Sequence, residues 1–157
     1  MTAQRTYTCQ FRNITVSNVQ DLLGMYAGAS MAIELVSVQI GQITQTNVEA
    51  LQISIKRLPT TVTTGTGGTS VTPAPSTDSD AAATFTCRAN DTTQATTSGT
   101  AVFPMPDVFN EVNGYQWVWP ERARPSCKPS EALVLSLDSA PPGGRVMSAT
   151  VVVREAF

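Results

Sequence analysis

A regular alternation of apolar and polar residues between positions 51 and 56 is the feature that most limits how this chain folds. The apolar residues are Leu51, Ile53 and Ile55, and a polar residue follows each of them. Alternation at period two puts one face of a β-strand against a core and the other in water, as in a sandwich or barrel. Because one or two strands cannot bury their own apolar face, the rest of the chain must supply further strands.

The preceding segment, residues 31–40, reads as a second strand whose apolar parity changes partway. Odd positions are apolar up to Leu35, and even positions are apolar from Val36 onward. Such a change indicates a bulge near Leu35 or a strand that is buried on both faces. The connection between the two strands, residues 41–50, is too polar for a core and too long for a two-residue turn.

Other segments carry similar strand signals. Pro104 and Pro106 restrict their segment to the edge of a sheet, because proline has no N–H to donate to a neighbouring strand. Asn113-Gly114 is the strongest hairpin signal. Residues 21–27 allow either a strand or a helical turn, and we favour the strand. The remaining predicted strands are 5–16 with a bend near Asn13, 82–88, 101–105, 115–119, 133–137 and 146–155.

This series of strands determines the predicted fold class. About eight to ten short strands with no long amphipathic helix are typical of sandwiches and jelly rolls. A chain of 157 residues is large enough for one well-packed core. We therefore predict one all-β domain over residues 1–157, built as an antiparallel, jelly-roll-like β-sandwich.

One long segment, residues 59–80, interrupts the strand pattern. It is rich in Thr, Ser, Gly and Pro and has almost no apolar residue to anchor it. Without apolar burial, little offsets the entropy lost when such a segment becomes ordered. We expect an exposed loop or arm that is mobile unless a neighbouring subunit orders it.

The composition argues against several kinds of partner. Charged residues make up 14% of the chain, against about 25% in an ordinary domain, and 22 threonines take their place. A net charge of −2 gives no reason to expect binding to nucleic acid or to an anionic membrane. The N-terminal residues lack the apolar core of a signal peptide. Cys9, Cys87 and Cys127 are widely spaced, and we expect buried free thiols.

No catalytic or metal-binding motif is found. The sequence contains no histidine, which removes the usual nucleophile–histidine pairs and histidine-based metal sites. An enzyme that uses carboxylates remains an alternative, because twelve acidic residues are present. We expect a protein that is not an enzyme and has neither a cofactor nor a metal.

Three aromatic residues of one parity, Tyr115, Trp117 and Trp119, form the candidate site. Large rings on one strand face often point into a core. Alternatively, they form an exposed platform that stacks on sugars or anchors a protein interface. Arg122 and Arg124 follow at once, and Arg beside Trp is a common composition of interface hot spots. These five residues are the predicted interface.

Four longer segments resemble small β-sandwich virion proteins of tailed bacteriophages, especially head decoration, or cement, proteins. The segments are TSVTPAPS (69–76), GYQWVWPERARP (114–125), PSEALVLSL (129–137) and MSATVVVREA (147–156). The resemblance implies a jelly-roll-like oligomer on the outside of a capsid that ties capsomers together. It supplies no catalytic residues.

The resemblance also implies partners and a location. The expected partners are the major capsid protein and further copies of the chain, as a homotrimer rather than a dimer. The expected location is the virion exterior, after assembly in the host cytoplasm. A tail-fibre or carbohydrate-binding module that uses the aromatic strand is the alternative function.

Overall fold

The computed structural model describes residues 4–43 and 49–156. Within these ranges the chain forms fourteen strands and one 3-10 helix, Glu121–Ala123. The predicted connection 41–50 falls partly outside them, at residues 44–48. The strands are β1 (Thr6–Val16), β2 (Gln20–Tyr26), β3 (Ala32–Gln42), β4 (Ala50–Leu58), β5 (Val62–Thr63), β6 (Thr69–Val71), β7 (Ala74–Pro75), β8 (Thr86–Asp91), β9 (Thr96–Thr97), β10 (Val102–Asn110), β11 (Tyr115–Val118), β12 (Ser126–Cys127), β13 (Ala132–Leu137) and β14 (Arg145–Ala156).

Two antiparallel sheets face each other across one core. Sheet A has the order β11-β3-β14-β1-β7, with β12 also paired to β3, and sheet B has the order β10-β4-β13-β2-β8-β6. Eight of the strands, β1–β4, β10, β11, β13 and β14, can be renumbered one to eight in chain order. With these numbers sheet A has the order 6-3-8-1 and sheet B has the order 5-4-7-2. That is the strand order of a jelly roll. The predicted all-β, jelly-roll-like sandwich is confirmed.

The inner faces of both sheets build the core as the alternation predicted. Leu51, Ile53 and Ile55 on β4 are almost fully buried, and so are the leucines of β13. The three cysteines are free and buried, as expected. Burial raises the pKa of Cys127 to about 12, so this thiol stays protonated and unreactive at neutral pH.

Both predicted irregularities are present. The pairing of β14 with β3 shifts register between Val152, opposite Ser37, and Val153, opposite Leu35. This shift is the bulge that the parity change indicated. In β1 the register shifts between Phe11 and Ile14, and Asn13 has a positive φ of 53°. The predicted edge position of the strand that contains Pro104 and Pro106 is also confirmed, since β10 ends sheet B.

The Asn113-Gly114 hairpin prediction is wrong, although a turn is present. Gly114 has a φ of 70°, a conformation that favours glycine. The strands on either side of this turn lie in different sheets, β10 in sheet B and β11 in sheet A. The turn therefore carries the chain from one layer of the sandwich to the other.

Strands β2 and β13 are buried on both faces. A second apolar cluster explains this, because it covers the outer face of sheet B around Tyr26, Leu58 and Val134. Its outer members are Val62, Ala95 and Ala101, all from the long excursion between β4 and β10. The excursion forms a third layer over part of sheet B.

The segment 59–80, predicted as an exposed loop or arm, contains three short strands that the sequence analysis did not predict. Most of its side chains are exposed, but two short strands attach its backbone to the sandwich, and a third pairs within the excursion itself. β5 pairs with β9, β6 with β8 and β7 with β1. Backbone pairing makes no demand on side-chain hydrophobicity, and so the composition of the segment gave no sign of it.

Buried polar side chains fix this third layer further. Asp91 accepts hydrogen bonds from the Gly68 N–H at 3.0 Å and from the Arg88 guanidinium at 2.7 Å. The Tyr26 hydroxyl accepts one from the Gly65 N–H at 3.2 Å. The two bonds to the Asp91 carboxylate are charge-assisted, and such bonds are stronger than neutral ones. The loop is thus held by a few specific polar contacts.

We predict that Asp91→Ala loosens this layer. Removing the carboxylate leaves the partly exposed Arg88 guanidinium and the Gly68 N–H without their partner, which lowers the free energy of unfolding by about 1–3 kcal/mol. Urea denaturation measures the loss, and limited proteolysis should then cut within residues 59–80. Asp78→Ala, an exposed change in the same segment, is the control and should cost under about 0.5 kcal/mol. Equal stability and equal resistance to cutting in the two variants would contradict this account.

Candidate protein interface

Strand β11 is short and lies at the edge of sheet A. It pairs on one side only, from Tyr115 opposite Ile40 to Val118 opposite Ser37. Pro120 follows closely, and proline ends such a strand because it cannot donate a ladder hydrogen bond. The other side of β11 carries no paired strand among the described residues. The predicted aromatic strand is therefore an open sheet edge.

The structure separates the three aromatic residues of the predicted stripe. Trp117 is 47% exposed, whereas Trp119 is 7% exposed and belongs to the core cluster. The backbone N–H of Trp119 still bonds to the Val36 carbonyl at 3.0 Å, so the chain stays against β3 and directs this ring inward. The interface prediction fails for Trp119, which is a core residue, while Trp117 remains available.

Tyr115 is half-buried and held in place. Its ring packs edge-on against Phe109, with centroids 6.0 Å apart, and its hydroxyl donates a hydrogen bond to Asp107 at 2.9 Å. Burial, followed by the bond to Asp107, raises the pKa of Tyr115 above its ordinary value. These contacts bridge the two sheets, since Asp107 and Phe109 belong to β10. The edges formed by β10 and β11 therefore lie on the same side of the sandwich.

The two predicted interface arginines have different surroundings. Arg122 is exposed on the 3-10 helix, and it forms no ion pair among the described residues. Arg124 is mostly buried, with a guanidinium nitrogen 3.9 Å from Glu34. Glu34 is already bound by Arg154 at 2.5 Å, so Arg124 belongs to an internal charge cluster. Of the two, only Arg122 is free to meet a partner.

The sequence reasoning missed several exposed apolar residues on these two strands. Phe103, Val108 and Val118 are 52%, 53% and 60% exposed. The prolines of β10 were the available signal, because they marked an edge strand and an edge strand leaves part of its surface uncovered. Together with Trp117 and Val102, these residues form what we call the apolar edge. A concentration of exposed apolar side chains on one side of a domain marks an interaction surface.

The two strands differ in how open their backbones are. Pro104 and Pro106 lack N–H groups, and prolines on an edge strand discourage pairing with another chain. The four residues of β11 include no proline. Pairing with a partner strand is therefore easier at β11.

The described residues contain neither a cluster of metal-ligating side chains nor a membrane-spanning helix. No group of three or more acidic or cysteine side chains is arranged to hold a metal ion within them. The same residues include no helix that is long and apolar enough to span a membrane. Comparison with protein-family models, curated proteins and solved structures gives no significant match.

We predict that the two tryptophans differ in what they contribute to stability. Trp119→Ala opens a cavity in the core and should lower the free energy of unfolding by about 3–5 kcal/mol. Trp117→Ala removes a half-exposed ring and should cost less than about 1 kcal/mol. Denaturant titration of both variants tests this. Equal losses would mean that Trp117 is part of the core.

We also predict a loss of stability in alkali. Burial raises the pKa of Tyr26 from 10.0 to about 12, and the pKa values of Tyr7 and Tyr115 are raised as well. Above pH 10 the unfolded chain releases phenol protons that the folded protein keeps, so the free energy of unfolding falls as the pH rises from 10 towards 12. Denaturation curves across this range and tyrosinate absorbance of the folded protein measure the effect. Ordinary titration of all three tyrosines near pH 10 in the folded protein would contradict it.

Proposed function

We propose that this protein is a capsid decoration, or cement, protein that binds the outside of a phage head and stabilises the shell. The observations that carry the proposal are the apolar edge and the exposed Arg122, which follows β11 along the chain of a jelly-roll sandwich. Tryptophan and arginine are both enriched in interface hot spots, and Trp117 and Arg122 are both exposed. The choice of a capsid as the partner rests on the resemblance of four sequence segments to decoration proteins.

The chemistry of the apolar edge suits a protein partner. Trp117 provides a large ring that is about half exposed, and its strand, β11, is paired with β3. Arg122 adds a planar guanidinium that bonds carboxylates through two parallel hydrogen bonds. The partner surface should therefore carry an apolar pocket with a carboxylate close to it.

The proposed partners are the major capsid protein and other copies of this chain. We propose a closed homotrimer rather than a dimer, since several linked binding sites raise the strength of attachment. The protein acts at the exterior of the virion after assembly in the host cytoplasm. Nucleic acid and membrane have no part in the proposal, because a net charge of −2 provides no attraction to either.

Variants of the apolar edge test the proposal on capsids. Trp117→Ser should lower occupancy of the capsid at least about tenfold, because loss of a hot-spot ring costs ~2 kcal/mol or more. Arg122→Ala should weaken attachment by a few-fold, with a stronger effect at low salt. Gel quantitation of purified decorated capsids measures occupancy. Ile14→Ser is the matched control, since Ile14 is a 41% exposed apolar residue on β1, two strands away from β3.

The cement role is tested separately by capsid stability. A protein that binds only the intact shell stabilises it by mass action, so capsids with the wild-type protein should withstand higher temperature than bare ones. If capsids without the protein are equally robust, it is not a cement protein. If Trp117→Ser decorates as well as wild type, the apolar edge is not the contact surface.

A further inference from the structure

Two of the three cysteines meet in the core, one from each sheet. Cys9 lies on β1 of sheet A, and Cys87 lies on β8 of sheet B. Both side chains are buried, and neither is part of a disulfide. The two thiols hydrogen-bond to each other, and the Cys87 thiol also donates to the Arg88 carbonyl oxygen at 3.8 Å. The two sulfur atoms are therefore neighbours in the folded protein.

An aromatic pair beside the thiols shows the same alignment of the two strands. Tyr7 lies two positions before Cys9 and is buried on the same face of β1. Phe85 lies two positions before Cys87 and is also buried. The Tyr7 and Phe85 rings meet edge-on, with centroids 5.6 Å apart. A step of two residues along each chain thus leads from the contact between the rings to the contact between the thiols.

The sandwich is narrow at this point, because one short segment links the edges of the two sheets. β6 pairs with β8, and Val71 lies opposite Cys87. β7 pairs with β1, and Ala74 lies opposite Thr8. Cα atoms of β1 and β8 come within 8 Å of each other, whereas facing sheets usually lie about 10 Å apart. A disulfide needs such an approach, since it joins Cα atoms that are at most about 7 Å apart.

We propose that Cys9 and Cys87 form an oxidation site at which hydrogen peroxide converts the thiol pair into a disulfide between the two sheets. One sulfur attacks a peroxide oxygen, which gives a sulfenic acid and releases one water. The other sulfur displaces the hydroxyl group of the sulfenic acid, which leaves as a second water. Two electrons pass from the sulfur atoms to the peroxide, and both thiol protons end in water.

Burial sets the conditions under which this site reacts. The neighbouring Cys9 thiol, followed by burial, raises the pKa of Cys87, so little thiolate forms at neutral pH and oxidation is slow. Peroxide reaches the pair when β6, a three-residue edge strand, opens locally. The pair stays reduced in a reducing cytoplasm, and the bridge forms in an oxidising environment such as a virion surface. The site does not depend on the proposed capsid contact.

Peptide mapping of the native full chain after exposure to hydrogen peroxide tests the proposal. Arg12 and Arg57 lie between the two cysteines, so trypsin releases them in separate peptides unless a disulfide joins them. We expect the joined peptides, and one titratable thiol in place of three.

The bridge should also stabilise the fold. It closes a long loop and so restricts the unfolded chain, which should raise the melting temperature by about 5–12 °C. Dithiothreitol should restore the three thiols and lower the melting temperature again. Because this reagent reverses the disulfide but not the oxidation of methionine, the fall on reduction measures the bridge alone.

Single alanine variants identify the pair. Cys9→Ala and Cys87→Ala should each show no rise in melting temperature on oxidation. Cys127→Ala is the matched control and should show the full rise, because this third buried cysteine lies on β12, which pairs with β3. Comparing oxidised and reduced samples of the same variant removes the cost of the substitution itself.

Oxidation of the chain unfolded in urea serves as the reference, because it lets all three cysteines pair. The proposal is overturned if the native protein keeps its three thiols under conditions that oxidise the unfolded chain. In that case the two thiols serve only as small apolar groups of the core. The same mixture of pairings in native and unfolded protein also overturns it, and so does a bridge that leaves the melting temperature unchanged.

Discussion

The complete burial of β2 and β13 is the constraint on which the rest of this structure depends. A sandwich strand normally shows one face to water, whereas these two strands are buried on both. The core covers only their inner faces, and the outer face of sheet B needs a cover of its own. The excursion between β4 and β10 supplies it, with Val62, Ala95 and Ala101 resting on the cluster around Tyr26. Gly24 permits this arrangement, because the Tyr26 ring lies where a Cβ at that position would stand.

A covering layer with so few apolar residues is held mainly by hydrogen bonds. Buried carboxylates accept loop N–H groups at three separate places: Asp21 from Ala95 at 2.6 Å, Asp91 from Gly68 at 3.0 Å and Glu155 from Thr84 at 2.5 Å. Burying an acid is costly unless it is paired, and each of these acids has further partners. Arg88 forms three bonds to Asp91, and the Thr84 hydroxyl adds a second bond to Glu155. A chain with only 14% charged residues thus places several of its acids where they fix loops.

The sequence allowed the sandwich to be predicted because side-chain alternation reports directly which face of a strand is buried. That signal located β4, β13 and β14, and the parity change at Leu35 located a bulge. It could not reveal β5, β6 and β7, since their pairing uses backbone groups that every residue carries. It also could not separate Trp117 from Trp119, which share a parity. What separates them is that β11 ends at Val118, after which the chain turns inward.

The open edge of β11 follows from how the other sheet ends are closed. β10 carries two prolines, β7 is a two-residue strand that ends in Pro75, and β6 is a short polar strand. Each of these features discourages pairing with a foreign strand. β11 has no such protection, and it carries exposed apolar side chains on both of its faces, Trp117 on one and Val118 on the other. Natural sandwiches seldom leave such an edge uncovered unless something binds there. A partner that extended sheet A along β11 would cover both side chains at once and satisfy the free backbone groups between them, and so we propose that the interaction surface lies at this strand.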